Sequence, residues 1–247
     1  LGAGQAATSE EKATATSMRQ AKGKRARRLG IRGILWRIVA VLVLLPIVLA
    51  LVYRFVPPVS TLMLARWLSF EQVDRQWVPM SDIAPDLARA VIAAEDARFC
   101  RHHGVDWVAL NDVLSDAGDD GPSRGASTVT MQTVKNVFLW PGRSYVRKGL
   151  EIPLALVVDA LWPKRRTLEV YLNVAEWGDG IFGAQAAARH LFGKNARQLT
   201  RREAALLAAA LPNPFTRNPR RPSRYMAVYA GRIGARMRSA DVSCLTQ

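Results

Sequence analysis

Histidine and cysteine are both scarce in this sequence. Three His residues, two of them adjacent at His102 and His103, argue against a His-based metal site. Two Cys residues, Cys100 and Cys244, allow at most one disulfide, which is no disulfide framework, and no Cys-x-x-Cys pair offers itself to zinc. Acidic residues are also short: 20 Asp and Glu against 35 Lys and Arg leave a net charge of +15. An anionic partner is therefore expected, whether nucleic acid, lipid headgroup or phosphorylated substrate. No stretch shows sustained strand alternation, and no internal repeat is visible. The chain reads as mainly α.

Hydrophobic residues make up 49% of the 247, enough for one large domain and an accessory segment. Residues 1–33 form a polar, basic tail, including "KGKRARR" at 22–28, with the composition of a disordered segment. Residues 34–56, "ILWRIVAVLVLLPIVLALVYRFV", are apolar apart from Arg37 and Arg54, which lie near the ends and can snorkel to headgroups. Their length suits a transmembrane helix, and Pro46 is tolerated in one. A cleaved signal peptide fits less well, because the run is long and no A-x-A-like site follows closely. Lys and Arg cluster before the span, which predicts a cytoplasmic tail and an external domain. An external domain weakens nucleic acid as the explanation for the charge, and the basic tail reads more simply as an orientation signal beside anionic lipid. A membrane-proximal segment, 57–84, holds a second apolar cluster around Trp67, placed either in the membrane interface or on the domain.

From 85 to 240 the pattern is helical nearly throughout. Leu87, Val91, Glu95 and Phe99 follow at a spacing of four, which predicts one helix face with a carboxylate among apolar neighbours. Pro85 suits the first helical position. Residues 115–126 form a Gly-rich polar loop. Ser127 is the expected cap of a helix with the stripe Met131, Val134, Phe138. Further helices are expected at about 144–162, with a kink at Pro153, at 200–211, opened by a Thr200/Glu203 capping box, and at 223–238.

Four segments carry chemistry: "EDARFCRHHG", "GASTVTMQTVKNVFLW", "RSYVRKGLE" and "KRRTLEVYLNVAEWGDGIFGAQAAARHLFGK". The first holds Glu95, Asp96, Phe99, His102 and Gly104; the second Gly125, Ser127, Thr128, Gln132, Lys135 and Asn136. Arg147, Lys148 and Glu151 fill the third, and Lys164, Glu169, Tyr171, Leu172, Asn173, Gly178, Gly180 and Gly183 the fourth. In this order, with "EAALLAAALPNP" following, they resemble the peptidoglycan glycosyltransferases of glycosyltransferase family 51 over about 80–230. No transpeptidase segment follows the motifs, so the monofunctional form is expected. Two positions depart from the family pattern: Ala126 stands for the second Gly of GGST, and Met131 for the first Gln of QQ. Met131 lies on the apolar stripe and is expected in the core.

The resemblance implies a lysozyme-like α domain with a small flexible jaw near the membrane, the loop at 115–126 moving over the cleft. It implies Glu95 and Glu151 as the catalytic carboxylates, the first as base on the acceptor and the second at the donor pyrophosphate. It implies Ser127, Thr128, Gln132, Lys135, Asn136, Arg143, Arg147 and Lys148 as substrate-binding residues. The substrates would be lipid II and the growing glycan on undecaprenyl pyrophosphate. Membrane lipids, cell-wall transpeptidases and divisome proteins would be partners, and nucleic acid would not. No cofactor is required, with a divalent cation, Mg²⁺ or Mn²⁺, at the pyrophosphate left open. The setting would be the inner membrane, single-pass, with the domain in the periplasm.

The residues make chemical sense on their own. Transfer of a sugar from a lipid pyrophosphate to a hydroxyl needs a base, and a carboxylate among apolar residues has the raised pKa that suits it. Lys135, Arg143, Arg147 and Lys148 lie in two segments joined by a short turn, close enough to converge on the departing charge. Glu169 reads as structural, and His102 and His103 as packing or hydrogen-bonding residues. Two other readings compete: a lysozyme-like hydrolase or lytic transglycosylase, which shares the carboxylate logic, and a basic membrane-tethered scaffold with no activity.

Overall fold

The computed structural model describes residues 32–115, 126–142 and 144–246. The basic run at 22–28, Gly125, Arg143 and nearly all of the 115–126 loop lie outside the described residues. The chain divides into two compact units, Leu1–Leu49 and Ala50–Gln247.

Helix α1 spans Arg32–Tyr53, with a mean hydropathy of 2.8 over its most apolar stretch, long and apolar enough to cross a membrane. Leu42, Val43, Leu44 and Leu45 are each more than half exposed. Four consecutive residues turn through most of a helical circle, so this helix is apolar on every side, as a lipid-facing helix must be. It starts before and stops short of the expected 34–56. Pro57 and Pro58 explain the stop, because a residue before proline avoids the α region.

The second unit is mainly α. Its helices are α2 (Thr61–Leu68), α3 (Pro85–Glu95), α4 (Trp107–Ser115), α5 (Val129–Phe138), α6 (Tyr145–Leu161), α7 (Lys164–Val174), α8 (Gly183–Phe192), α9 (Arg201–Ala210) and α10 (Arg224–Arg236). Helix α7 is shared between two core clusters: Leu168, Tyr171 and Leu172 join α3, α8, α9 and α10, whereas Val170 and Val174 join α5 and α6. Helices α3 and α9 pack against each other, and both contribute small buried alanines to the core, among them Ala88 and Ala90 on α3 and Ala204 and Ala208 on α9. Pro85 opens α3, the Thr200/Glu203 capping box opens α9, and Ser223 caps α10. Helix α6, capped by Ser144, runs through Pro153. Met131 is buried at 2% exposure, in the core position its stripe predicts.

Three expectations are corrected. Helix α3 ends at Glu95, so Phe99 is not on its face; it is buried in the turn that follows. Short strands exist: β1 (Asp74–Arg75), β2 (Glu176–Gly178) and β3 (Ile181–Phe182), in the order β1-β3-β2, with β1 parallel and β2 antiparallel to β3. Strands of two or three residues are too short to show alternation. The turn between β2 and β3 uses Gly180 at φ +70°, where a Cβ would lie 2.5 Å from the Gln72 carbonyl oxygen. The third concerns the cap of α5, which is Thr128 and not Ser127. Helix α2 packs on the domain, one of the two placements foreseen for its segment: Met63 is buried and the Thr61 hydroxyl donates to the Asn136 carbonyl at 3.2 Å, while Trp67 and Leu68, and Phe70 just after the helix, remain exposed.

Cys100 and Cys244 are joined in a disulfide across 144 positions of sequence. It ties the short helical turn Ser243–Leu245, which packs on α7, to the turn after α3. Closing so long a loop restricts the unfolded chain, so replacing both cysteines by alanine should cost about 2–4 kcal/mol. Thermal melting should show a midpoint lowered by roughly 5–15 °C. An unchanged midpoint would mean that the tie does not restrain the unfolded ensemble.

Candidate active site

The site forms where the end of α3, the start of α5 and the middle of α7 meet. Asp96, the C-cap of α3, holds the junction. It is 7% exposed, accepts the Val129 N–H at 2.9 Å, and lies 2.9 Å from His102 Nε2. An anionic carboxylate at the first turn of α5 also complements the helix dipole. Thr128, not Ser127, caps α5: its hydroxyl accepts the Met131 N–H at 3.1 Å and donates to the Gly104 carbonyl at 2.6 Å. Adjacent Ser and Thr compete for one cap, and the Asp96–Val129 bond starts the helix one residue later than expected. Gly104 sits at φ +77°, where a Cβ would lie 2.5 Å from the Ala155 carbonyl oxygen. Helix α6 thus comes against the first motif at a place only glycine allows.

Glu95 is half-buried at the last position of α3. Gln132 Nε2 donates to its Oε2 at 2.9 Å, and the Tyr171 hydroxyl donates to Gln132 Oε1 at 3.1 Å. Burial pushes the Glu95 carboxyl above its ordinary pKa; Asp96 adds to this, while Gln132, Lys135 and Arg217 hold it down. Glu95 is therefore a carboxyl whose proton affinity is raised beside a cationic group, the combination a general base requires.

A cavity of about 190 Å³ is lined by Gln132, Lys135, Asn136, Tyr171 and Glu176, with Leu62 of α2 on its other side. A second, of about 370 Å³, shares Leu62, Lys135 and Asn136 and extends to Trp140 and Arg147. Lys135 is common to both cavities and feels the charges of Glu95 and of Arg147, Lys148 and Glu151 on α6. Burial lowers its pKa, and Arg147 and Lys148 act in the same direction, against Glu151 and Glu95. Among the described residues Lys135 has no ion pair, which leaves its charge for a ligand. A larger hollow of about 550 Å³ between α9 and α10 is lined by arginines, alanines, glycines and a leucine, with no acid–base group.

Glu151 is 3% exposed and both its oxygens are engaged, Oε1 by Arg147 in a close ion pair and Oε2 by Lys148 Nζ at 2.8 Å. Lys148 Nζ also donates to Ser127 Oγ at 2.6 Å. Ser127, Arg147, Lys148 and Glu151 therefore form one connected group. Glu169 accepts the Met80 N–H at 2.8 Å and pairs with Arg166, the structural role expected of it. Among the described residues no group of three or more His, Cys, Asp or Glu side chains is arranged to hold a metal ion.

The structure thus brings Gln132, Lys135, Asn136 and Arg147 to the walls of two cavities that share Lys135 and Asn136, with Glu95 bonded to Gln132 and with Lys148, Glu151 and Ser127 linked to Arg147; Thr128 is buried as a cap. Two residues escaped the sequence reading. Tyr171 appears in the fourth motif, but its place in the sequence gives it no role at the site. Arg217, which acts electrostatically on Glu95, donates to the Ala209 carbonyl at 2.8 Å and lies near the rings of Tyr225 and Tyr229. A lone Arg in "PNPFTRNP" carries no periodic signal, so nothing local could have selected it.

The family described as transglycosylase matches residues 62–238. Three relatives are each named biosynthetic peptidoglycan transglycosylase. That of Brucella suis biovar 1 (strain 1330) is 57% identical over 213 residues, covering 85% of this chain and 95% of the relative. That of Nitrobacter hamburgensis is 53% identical over 205 residues, covering 82% and 91%. That of Agrobacterium fabrum is 50% identical over 208 residues, covering 83% and 92%. With a match spanning most of the chain, and a raised carboxyl beside a cationic cleft where the motifs meet, the chain belongs to the transglycosylase family and is a glycosyltransferase acting on peptidoglycan.

Proposed function

We propose that the protein polymerises lipid II into uncrosslinked glycan, with Glu95 as the base. The observation that carries this reading is Glu95 hydrogen-bonded to Gln132, which lines a cavity that shares Lys135 and Asn136 with the one reaching Arg147. Glu95 takes the proton of the acceptor 4-hydroxyl. The oxygen attacks C1 of the donor sugar from the face opposite the pyrophosphate. The C1–O bond to undecaprenyl pyrophosphate breaks as the new bond forms, which inverts the anomeric carbon and makes a β-1,4 linkage. The electron pair leaves on the pyrophosphate, where Lys135, Arg147 and Lys148 stabilise it, with Arg143 as a further cation of the set. Glu151 holds Arg147 and Lys148 in position, Gln132 orients Glu95, and Asn136 and Ser127 contact the sugar–phosphate. Thr128 shapes the site as a helix cap.

The donor set does not fit a protein-held divalent cation, since both Glu151 oxygens already face cations. A hydrolase or lytic enzyme needs the carboxylate but not the cations at a leaving pyrophosphate. Incubation with lipid II alone separates the readings: a polymerase lengthens it, while a lytic enzyme acts only on finished glycan. A scaffold does neither. The uncrosslinked product would pass to cell-wall transpeptidases, and divisome proteins would localise the enzyme.

The tail lies in the cytoplasm and the domain in the periplasm, on the inner membrane. The Lys and Arg cluster before α1 supports this orientation, as does the Cys100–Cys244 disulfide, a bond that persists in oxidising compartments. A reporter active only outside the cytoplasm, fused after Gln247, should be active. A stably expressed but silent fusion would overturn the topology.

A further inference from the structure

We propose that Tyr171 is a positioning residue for the reaction: its hydroxyl fixes which way the Gln132 amide faces, so that an N–H and not a carbonyl meets Glu95. The proposal rests on Glu95 being the base and goes beyond that assignment.

The two ends of a Gln side chain are nearly the same size but opposite in hydrogen-bonding sense. Placed beside a carboxylate, Gln132 is useful one way round only. With Nε2 toward Glu95 it stabilises the ionised form; with Oε1 toward Glu95 two acceptors would meet, unless Glu95 carried a proton. Tyr171 decides between them. Its side chain is 2% exposed, and its hydroxyl donates to Gln132 Oε1 at 3.1 Å while Gln132 Nε2 donates to Glu95 at 2.9 Å. Burial, with Glu95 and Asp96 nearby, pushes the Tyr171 phenol well above its ordinary pKa, so it remains a donor throughout the working range. Were the amide reversed, the phenol would accept from Nε2, and its own proton would need another acceptor. Among the described residues Tyr171 makes no second side-chain bond. Reversal therefore leaves the buried phenol proton without a side-chain acceptor among the described residues.

The rest of α7 supports this assignment. Leu168 and Leu172 neighbour Tyr171 in the same core, where a Phe ring would pack as well. A buried hydroxyl that served nothing would only be costly to desolvate. The other charged groups around Glu95 come from other elements: Asp96 at the end of α3, Lys135 on α5 and Arg217 after α9. Removing one phenolic oxygen leaves all three in place. The consequence is specific. Without Tyr171's hydroxyl the amide samples both faces, Glu95 loses part of a bond that favours its ionised form, and its pKa rises further.

The test is Tyr171→Phe, read by ¹³C NMR titration of carboxyl-labelled glutamate in the full-length protein in detergent. The Glu95 signal is identified by its absence from Glu95→Gln. The Glu95 midpoint should move up by roughly 0.5–1 pH unit. The acidic limb of kcat/KM for lipid II polymerisation should move with it. In a Gln132→Ala background the same substitution should leave the midpoint where Gln132→Ala alone puts it. Gln132→Met, which offers Glu95 no donor, should raise the midpoint by itself, and it serves as the reading if Tyr171→Phe fails to fold. An unmoved Glu95 midpoint in folded Tyr171→Phe, or in Gln132→Met, overturns the proposal. So does an equal shift in the Gln132→Ala background, which would mean that Tyr171 does not act through the amide. A wild-type protein that fails to lengthen lipid II would instead remove the functional reading, while the NMR titration would still decide the role of Tyr171.

Discussion

Glu95→Gln should retain the fold and lose about 10²–10⁴-fold in lipid II polymerisation, the usual cost of removing a general base. The substitution keeps the shape of the side chain and removes the proton acceptor. It should also stabilise the protein at neutral pH, and the sign follows from the raised carboxyl. A carboxyl whose folded pKa lies above its unfolded value binds more protons in the native state. Stability then falls as pH rises from the unfolded value through the folded one. Gln carries no such charge, so the variant should melt above wild type at pH 7–8, and the difference should close in acid as Glu95 protonates. Both expectations are read on one purified sample, by product length on a gel and by thermal melting across pH. A folded variant within a few-fold of wild type would remove Glu95 from the mechanism and turn attention to Glu151. Asp96→Asn is no neutral control here. Its buried carboxylate joins Val129 and His102, so its loss should damage fold and activity together.

Lys135→Ala should lose about 10–100-fold in kcat/KM, the loss of one charge-assisted contact of roughly 1.5–3 kcal/mol, with little change in melting temperature. The small effect on stability follows from the absence, among the described residues, of an ion pair to Lys135. Lys135→Arg keeps the charge and should recover part of the activity. Arg147→Ala should behave differently. Arg147 is 8% exposed and paired to buried Glu151, and breaking a buried pair by deleting one partner typically costs about 3–5 kcal/mol. Lys148 remains on Glu151 and should hold the loss to the lower end, but melting and activity should still fall together. Arg220, exposed and away from the cleft, should be neutral to Ala. Equal losses at Lys135 and Arg220 would mean that general surface charge, and not a built cleft, holds the substrate.

Much of the helical framework was legible in the sequence because it is written in short-range signals. Pro85 and the Thr200/Glu203 box mark helix starts, and Met131 and Val134 fall on a stripe that the structure buries. The failures have a common cause in longer-range contacts. Nothing local tells Ser127 from Thr128 as a cap; Asp96, thirty-three positions before Val129, decides it. The spacing that put Phe99 on one face with Glu95 assumed a helix that continued, whereas α3 stops at the carboxylate it presents. β1 pairs with β3 across about a hundred positions, and strands so short leave no pattern. The motifs named Glu95, Gln132, Lys135 and Arg147, but which of them touch was not visible. That Lys135 has no ion pair among the described residues while Arg147 is paired, and that Tyr171 reaches Gln132, depends on how α5, α6 and α7 pack.

The central claim is that this cleft joins lipid-linked sugars with loss of pyrophosphate and inversion at C1. Purified full-length protein, given lipid II alone in detergent or vesicles, tests it directly by product analysis. The account predicts lengthened glycan, β-1,4 bonds throughout by NMR, and one undecaprenyl pyrophosphate released for each bond formed. No lengthening by a folded protein, α-linked product, or cleavage of finished glycan in place of synthesis would contradict it.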